Sequence, residues 1–246
     1  MKHFRRSSRY HPATVSRYGP VTPIGQRLKW LLKRLIGVFL VSSVSLVAGF
    51  RFLPAPTSAF MLHTHIDDLV AGKAYRAIDQ RWVDATRISK YAFIAVVASE
   101  DQLFYQHYGF DVDAIYRAYD RYQQGGKLRG ASTISQQVAK NLFLSPARNV
   151  GRKVLEVWFT LLIELLWSKQ RILEMYLNIA EFGDHIYGIE AASQHYFNLP
   201  AKQLTASQAA LLAATLPNPR LLKADRPSAY LGRRQQWILG QMRHSM

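Results

Sequence analysis

Ala98-Ser99-Glu100-Asp101-Gln102-Leu103-Phe104-Tyr105-Gln106-His107-Tyr108-Gly109-Phe110-Asp111 is where a helical apolar pattern (Ile88, Tyr91, Ala92, Ala95, Val96) gives way to polar and aromatic residues. It sets Glu100 and Asp101 beside Phe104 and His107, one helical turn apart if the helix continues. Two adjacent carboxylates at the end of an apolar run admit two readings: a helix end exposing its charges, or a site. A carboxylate near a helix C-terminus faces the negative end of the dipole. If it is also partly desolvated its pKa rises, as suits a general base. The rest of the chain has to decide between the two.

With 246 residues and 49% hydrophobic content, the chain has room for a real core. The net charge of +16 is unevenly spread: Met1 to His65 hold ten Lys and Arg and no acid, while the remainder holds twenty-two basic and sixteen acidic residues. No helix-turn-helix, zinc-ligand or RNA-binding pattern accompanies that charge, so nucleic acid is not the expected partner. The absence of cysteine excludes disulfides, Cys-ligated zinc and a thiol nucleophile. Residues 1–29 read as a flexible basic arm suited to an anionic membrane face.

Between Arg34 and Arg51 lie sixteen uncharged residues. They cross a bilayer as a helix if Trp30 to Leu32 and Phe52 to Leu53 are included and the flanking cations snorkel. A cleaved signal peptide and a buried core helix are the competing readings, but the basic region is long for a signal peptide, which favours an uncleaved anchor at 30–53. Nine positive charges precede the span and one immediately follows it, which orients the N-terminus to the cytoplasm and the body outside. A Pro-containing linker, 54–60, then leads to a domain over 61–246.

Gly130-Ala131-Ser132-Thr133-Ile134-Ser135-Gln136-Gln137-Val138-Ala139-Lys140-Asn141-Leu142 is the second informative stretch. Thr133 and Gln136 have capping-box spacing, which predicts a helix starting near Ser132 with free N–H groups able to meet an anion. Gln136 and Lys140 share one face, Gln137 and Asn141 the next, and Ile134, Val138 and Leu142 the apolar side. Further on, Arg148, Arg152 and Glu156 recur at i, i+4 and i+8 with Lys153 beside them. That is either a salt-bridged solvent face or an anion clamp whose guanidinium forks match phosphate oxygens.

The segments 61–99, 115–124, 157–166 (a core helix), 169–180, 189–197 and 206–216 read as helical. Gly72 is a break, Gly183 and Gly188 bracket a turn, and a weakly patterned basic tail follows Pro219. Tyr116, Tyr119 and Tyr122 interleave with Arg117 and Arg121, which suits either a membrane interface or an ordinary solvated helix. No strand pattern of any length appears, so the expected class is all or mainly α. No G-x-S-x-G, P-loop or H-E-x-x-H motif is present.

These stretches together resemble the family 51 glycosyltransferases, the peptidoglycan glycosyltransferases that polymerise lipid II, and most closely their monofunctional members. The resemblance runs from about Ala74 to Pro219. It is carried by Glu100-Asp101-x-x-Phe104-x-x-His107-x-Gly109-x-Asp111, by Gly130-x-Ser132-Thr133-Ile134-x-Gln136-Gln137-x-x-Lys140-Asn141, by Arg152-Lys153-x-x-Glu156, and by Lys169-x-x-Ile172-Leu173-Glu174-x-Tyr176-Leu177-Asn178. Ala131 stands where many members have a second glycine.

The resemblance implies a lysozyme-like helical domain with a mobile membrane-facing jaw, preceded by one transmembrane helix. Glu100 would be the general base and Glu156 a second catalytic carboxylate. Lys140, Arg148, Arg152 and Lys153 would neutralise the diphosphate. Ser132, Thr133, Gln136, Gln137 and Asn141 would line the donor or acceptor site, and Arg117 would reach the same cleft. Asp101, Phe104 and His107 would support Glu100.

Lipid II, the nascent glycan strand and the cytoplasmic membrane are the implied partners, with other cell-wall synthesis or division proteins beside them. The implied location is the bacterial inner membrane, with a single span and the catalytic domain periplasmic. Some members use a divalent cation, Mg or Mn; no ligand spacing in this chain establishes one. Ser-x-x-Lys and Lys-Thr-Gly occur nowhere, so no transpeptidase activity is expected. The competing readings are a glycan-cleaving lysozyme-like enzyme and an inert membrane scaffold.

Overall fold

The computed structural model describes residues 24–126, 132–147 and 149–243. Two units separate, one up to Ser42 and the other from Ser43 onward. The first consists, among the described residues, of the larger part of helix α1 (Ile24–Phe50). α1 is long and apolar enough to cross a membrane. It begins earlier than the sequence pattern indicates, so residues 24–29, read as arm, are helical.

The second unit is mainly helical, as expected. After α2 (Ala59–Val70) come α3 (Lys90–Glu100), α4 (Val112–Gln123), α5 (Ile134–Phe143), α6 (Val150–Leu166), α7 (Lys169–Ile179), α8 (Ile189–Phe197), α9 (Ala206–Thr215) and α10 (Ala229–Arg243). Its centre is α7, where Ile172, Leu173, Met175, Tyr176, Leu177 and Ile179 are all buried. Each such side chain contributes about 1.5–3 kcal/mol on leaving water, which is why this short helix anchors its neighbours. α5 packs between α6 and α7, and α3 lies against α9 and α10. The last turns of α1 belong to this unit. Trp158 Nε1 donates to Ser43 Oγ at 3.2 Å and Trp167 Nε1 to the Val47 carbonyl at 2.8 Å, while Arg171 donates to the Phe50 carbonyl.

Four sequence expectations need correction. The tail after Pro219 is not unstructured: α10 buries Leu231, Ile238 and Met242, a sparse stripe at i, i+7 and i+11. In the segment 61–99 the expected break at Gly72 is present, with φ +65°, but an extended stretch follows it where a helix was expected.

A small three-stranded sheet also forms, in the order β1 (Asp79–Gln80), β3 (Ile186–Tyr187), β2 (Glu181–Gly183). β1 runs parallel to β3, and β2 antiparallel to it. Buried Asn178 holds the extended stretch by accepting from Val83 N–H and donating to its carbonyl, both at 2.9 Å. Finally, α6 is not a wholly buried core helix. Val154, Leu161 and Leu165 are 64%, 50% and 80% exposed on one face, while Glu156, Phe159 and Ile163 are buried on the other.

Candidate active site

α3 ends at Glu100, with Asp101 as the C-terminal cap residue. The helix therefore does not continue to His107, and Asp101 turns away from Glu100 into the protein. Its carboxylate accepts from His107 Nε2 at 2.9 and 3.1 Å and from the Ile134 N–H at 3.0 Å. Phe104 is fully buried, and the His107 ring meets it edge-on. Lys169 Nζ donates to the His107 carbonyl at 2.6 Å and to Glu164 at 2.9 Å, closing the turn from below. The three supporting residues thus fix the end of α3 to the start of α5.

α5 starts as its capping box dictates. Thr133 Oγ1 accepts from the Gln136 N–H, and Gln136 Oε1 accepts from the Thr133 N–H. The Thr133 hydroxyl also donates to the Gly109 carbonyl at 2.6 Å. The expectation that this helix start offers free N–H groups to an anion is therefore corrected: Asp101 and Thr133 take the Ile134 and Gln136 donors. Thr133 and Gln136 are buried structural groups that also edge the cavities described next.

Glu100 is held by three elements. Gln137 Nε2 on α5 donates to it at 3.1 Å, Arg234 Nη2 on α10 donates at 3.2 Å, and the neighbouring Ser99 hydroxyl donates at 3.4 Å. Tyr176 on α7 donates to Gln137 Oε1, which sets the amide with its nitrogen toward the carboxylate. Burial raises the Glu100 pKa; the Gln137 hydrogen bond and the Arg234 charge oppose this without cancelling it. A carboxylate that is ionisable yet more basic than usual is the chemistry of a general base.

Glu100 lines a cavity of about 700 Å³ together with Arg117 and Arg121 from α4, Ser132, Thr133, and Trp237 from α10. Arg117 therefore does reach the cleft, with Asp111 at 3.8 Å as a loose partner.

One turn further along α5, Lys140 opens on a second cavity of about 320 Å³, lined with it by Phe60, Ser132, Gln136, Gln137, Arg152, Lys153 and Glu156. Glu156 is buried and ion-paired to Arg152 at 2.5 Å and to Lys153. The salt bridges of the solvent-face reading are present, but they form around a buried carboxylate, with Arg152 partly exposed and Lys153 exposed. Burial lowers the Lys140 pKa, and Glu156 is the strongest influence restoring it.

Arg148 lies outside the described residues, as do Gly130 and Ala131. Asn141 lines neither cavity, and its buried Oδ1 has no partner among the described residues. Among the described residues no group of three or more acids or histidines could hold a metal. Both Glu156 oxygens are taken by cations, so the residues present do not fit a divalent ion.

The domain is helical and sets a buried, cation-paired carboxylate beside a basic, amide-lined cavity. The family described as Transglycosylase matches residues 68–243, and the chain belongs to that family. It is therefore a glycosyltransferase enzyme. It is 53% identical over 223 residues to the biosynthetic peptidoglycan transglycosylase of Pasteurella multocida, covering 91% of each chain. The proteins of that name from Chromohalobacter salexigens (51% identical; 88% of this chain and 92% of the relative) and Haemophilus influenzae (49%; 87% and 89%) are similar to it over nearly the same length.

Sequence reasoning missed Arg234, Trp237, Phe60 and Arg121. The first two stand in the segment read as tail, and nothing local marks them. Phe60 lies beside Lys140 only through the fold, its ring centre 5.4 Å from Nζ. Arg121 had been noted only as part of the aromatic and basic pattern of α4.

Proposed function

We propose that this peptidoglycan glycosyltransferase polymerises lipid II at the outer face of the cytoplasmic membrane, releasing undecaprenyl diphosphate. Glu100 takes the proton from the 4-hydroxyl of the N-acetylglucosamine of one lipid II. The freed oxygen attacks C1 of the terminal N-acetylmuramic acid of the growing chain, and the C1–O bond to diphosphate breaks with inversion. Lys140, Arg152 and Lys153 meet the negative charge that grows on the leaving diphosphate, so they favour the transition state over the ground state. Arg148 joins this group as the family resemblance implies. Glu156 orients Arg152 and Lys153 and keeps Lys140 charged. Ser132, Gln137 and Arg117 contact the sugars or the acceptor's own diphosphate; Thr133, Gln136 and Asn141 act by holding α5.

The observation that carries this reading is that α5 joins both halves of the chemistry. Gln137 binds the base, and Lys140, about 4.5 Å further along the helix axis, opens on the basic cavity. A hydrolase would need a water-activating pair of carboxylates across one bond, whereas Glu156 is enclosed by cations.

The anchor at 30–53 places the N-terminus in the cytoplasm and the catalytic domain, 61–246, in the periplasm, in agreement with the charge bias. The chain adds glycan and makes no peptide crosslinks.

Purified protein incubated with lipid II in detergent should yield glycan strands and free undecaprenyl diphosphate. Glu100→Gln should lower the rate about 10²–10⁴-fold, as removal of a general base does. Polymerisation by Glu100→Gln at the unmodified rate would remove Glu100 from the role.

A further inference from the structure

α10 sets Tyr230, Arg233, Arg234 and Trp237 on one face, at i, i+3, i+4 and i+7. These four line a shallow depression of about 300 Å³. Trp237 also lines the larger cavity that holds Glu100, so one indole ring joins the two. Tyr230 and Trp237 are 53% and 47% exposed, although the other face of the same helix is fully buried. Arg233 is exposed and makes no ion pair among the described residues. Arg234 gives Nη2 to Glu100, while its buried Nε has no partner among the described residues.

Aromatic faces flanking cations beside a glycosyl-transfer cavity match one kind of ligand. The C–H faces of pyranose rings lie flat on aromatic rings, and carboxylates pair with guanidinium groups. Among the large apolar side chains exposed on α10, only these two aromatics occur and no aliphatic does, so the face suits a sugar polymer better than a prenyl chain.

We propose that this face is a subsite for the lipid-free part of the growing strand, an N-acetylated sugar chain bearing carboxylates, beyond the positions where the bond is made. The proposal rests on the polymerase reading above and adds to it a grip on product. Strand retained on α10 after each transfer stays poised for the next, so the subsite governs product length.

The test uses full-length Glu100→Gln protein in detergent, which blocks turnover, titrated calorimetrically with short lipid-free strands of alternating N-acetylglucosamine and N-acetylmuramic acid. In that background Trp237→Leu and Arg233→Gln should each weaken binding by about fivefold or more, while Trp237→Phe, which keeps a ring, should retain most of it. With Glu100 restored and lipid II supplied, Trp237→Leu should make shorter strands. Absence of strand binding, or equal binding by Trp237→Leu and Arg233→Gln with unchanged melting, would overturn the subsite and favour a protein occupant. Failure of the unmodified protein to make strands from lipid II is a separate result: it would overturn the polymerase reading while leaving measured strand binding to stand or fall by itself.

Discussion

Asp101 is adjacent to Glu100, the proposed base, but is held inside the protein, and replacing it separates support from chemistry. Asp101→Ala deletes the acceptor for the Ile134 N–H at 3.0 Å and for His107 Nε2 at 2.9 and 3.1 Å. The Asp101 and His107 side chains are only 3% and 10% exposed, so water does not replace the lost partner. Hydrogen bonds to a charged group contribute about 1.5–3 kcal/mol each, which for two stranded donors gives about 3–6 kcal/mol. That is a large part of a domain's total of about 5–15 kcal/mol. At about 2–4 °C per kcal/mol for a body of this size, the melting temperature should fall by roughly 6–24 °C.

Asp101→Asn keeps one oxygen for the Ile134 N–H and turns an amide toward the imidazole. The ring can meet that amide by accepting at Nε2 in its other tautomer, which moves the proton to buried Nδ1, a nitrogen with no partner among the described residues. The loss should then be about half, roughly 1.5–3 kcal/mol. Calorimetric melting of the full-length protein, run beside lipid II turnover, checks both figures. Melting of Asp101→Ala within about 2 °C of the unmodified protein would refute the assignment of Asp101 as the tie between α3 and α5. A full-sized activity loss in Asp101→Asn at unchanged melting would move Asp101 into the chemistry.

Burial raises the Glu100 pKa, so the folded protein binds that proton more tightly than the unfolded chain does. Stability therefore declines as pH rises through the folded pKa and returns on acidification. Glu100→Gln should accordingly melt at or above the unmodified protein at neutral pH, with the difference vanishing in acid. Arg234→Gln removes the cation that opposes burial, so the acid limb of the rate profile should move to higher pH, measured as kcat against pH with lipid II saturating. Lys140→Ala should lower kcat about 10²–10³-fold with little change in melting, the signature of a lost charge on the leaving group. Gly188→Ala places a Cβ 2.7 Å from the Asn178 carbonyl at φ +85° and should cost about 1–3 kcal/mol or more, read by denaturant melts.

Where a local pattern is strong, sequence and structure agree. The capping box of α5 is a four-residue signal and appears as read, and the apolar run before Glu100 forms α3 with the carboxylate at its end. The lysine and amides of α5 fall on the expected faces because helical periodicity alone places them. What could not be read depends on contacts between distant segments. Asp101 caps a helix that begins 33 residues later, which no spacing rule anticipates. The three strands are two or three residues long, too short to alternate. α10 escaped because its buried stripe is only Leu231, Ile238 and Met242, diluted by Gly232, Gly240 and a run of Arg and Gln. With α10 went Arg234, so the surroundings of Glu100 were incomplete in the sequence reading.

That separation bears on how altered forms of the chain behave. The cation paired with Glu100 stands 134 positions away from it, on the far side of the segment between Thr215 and Ala229. A cleavage or frameshift in that segment would leave every signature motif intact, with Glu100, Lys140 and Glu156 all present, yet strip Glu100 of its counterion and uncover the faces of α3 and α9 on which α10 rests. A motif search would score such a fragment as a complete enzyme. An antibody or tag reporting residues 229–243 would be the better gauge of competent protein in a preparation.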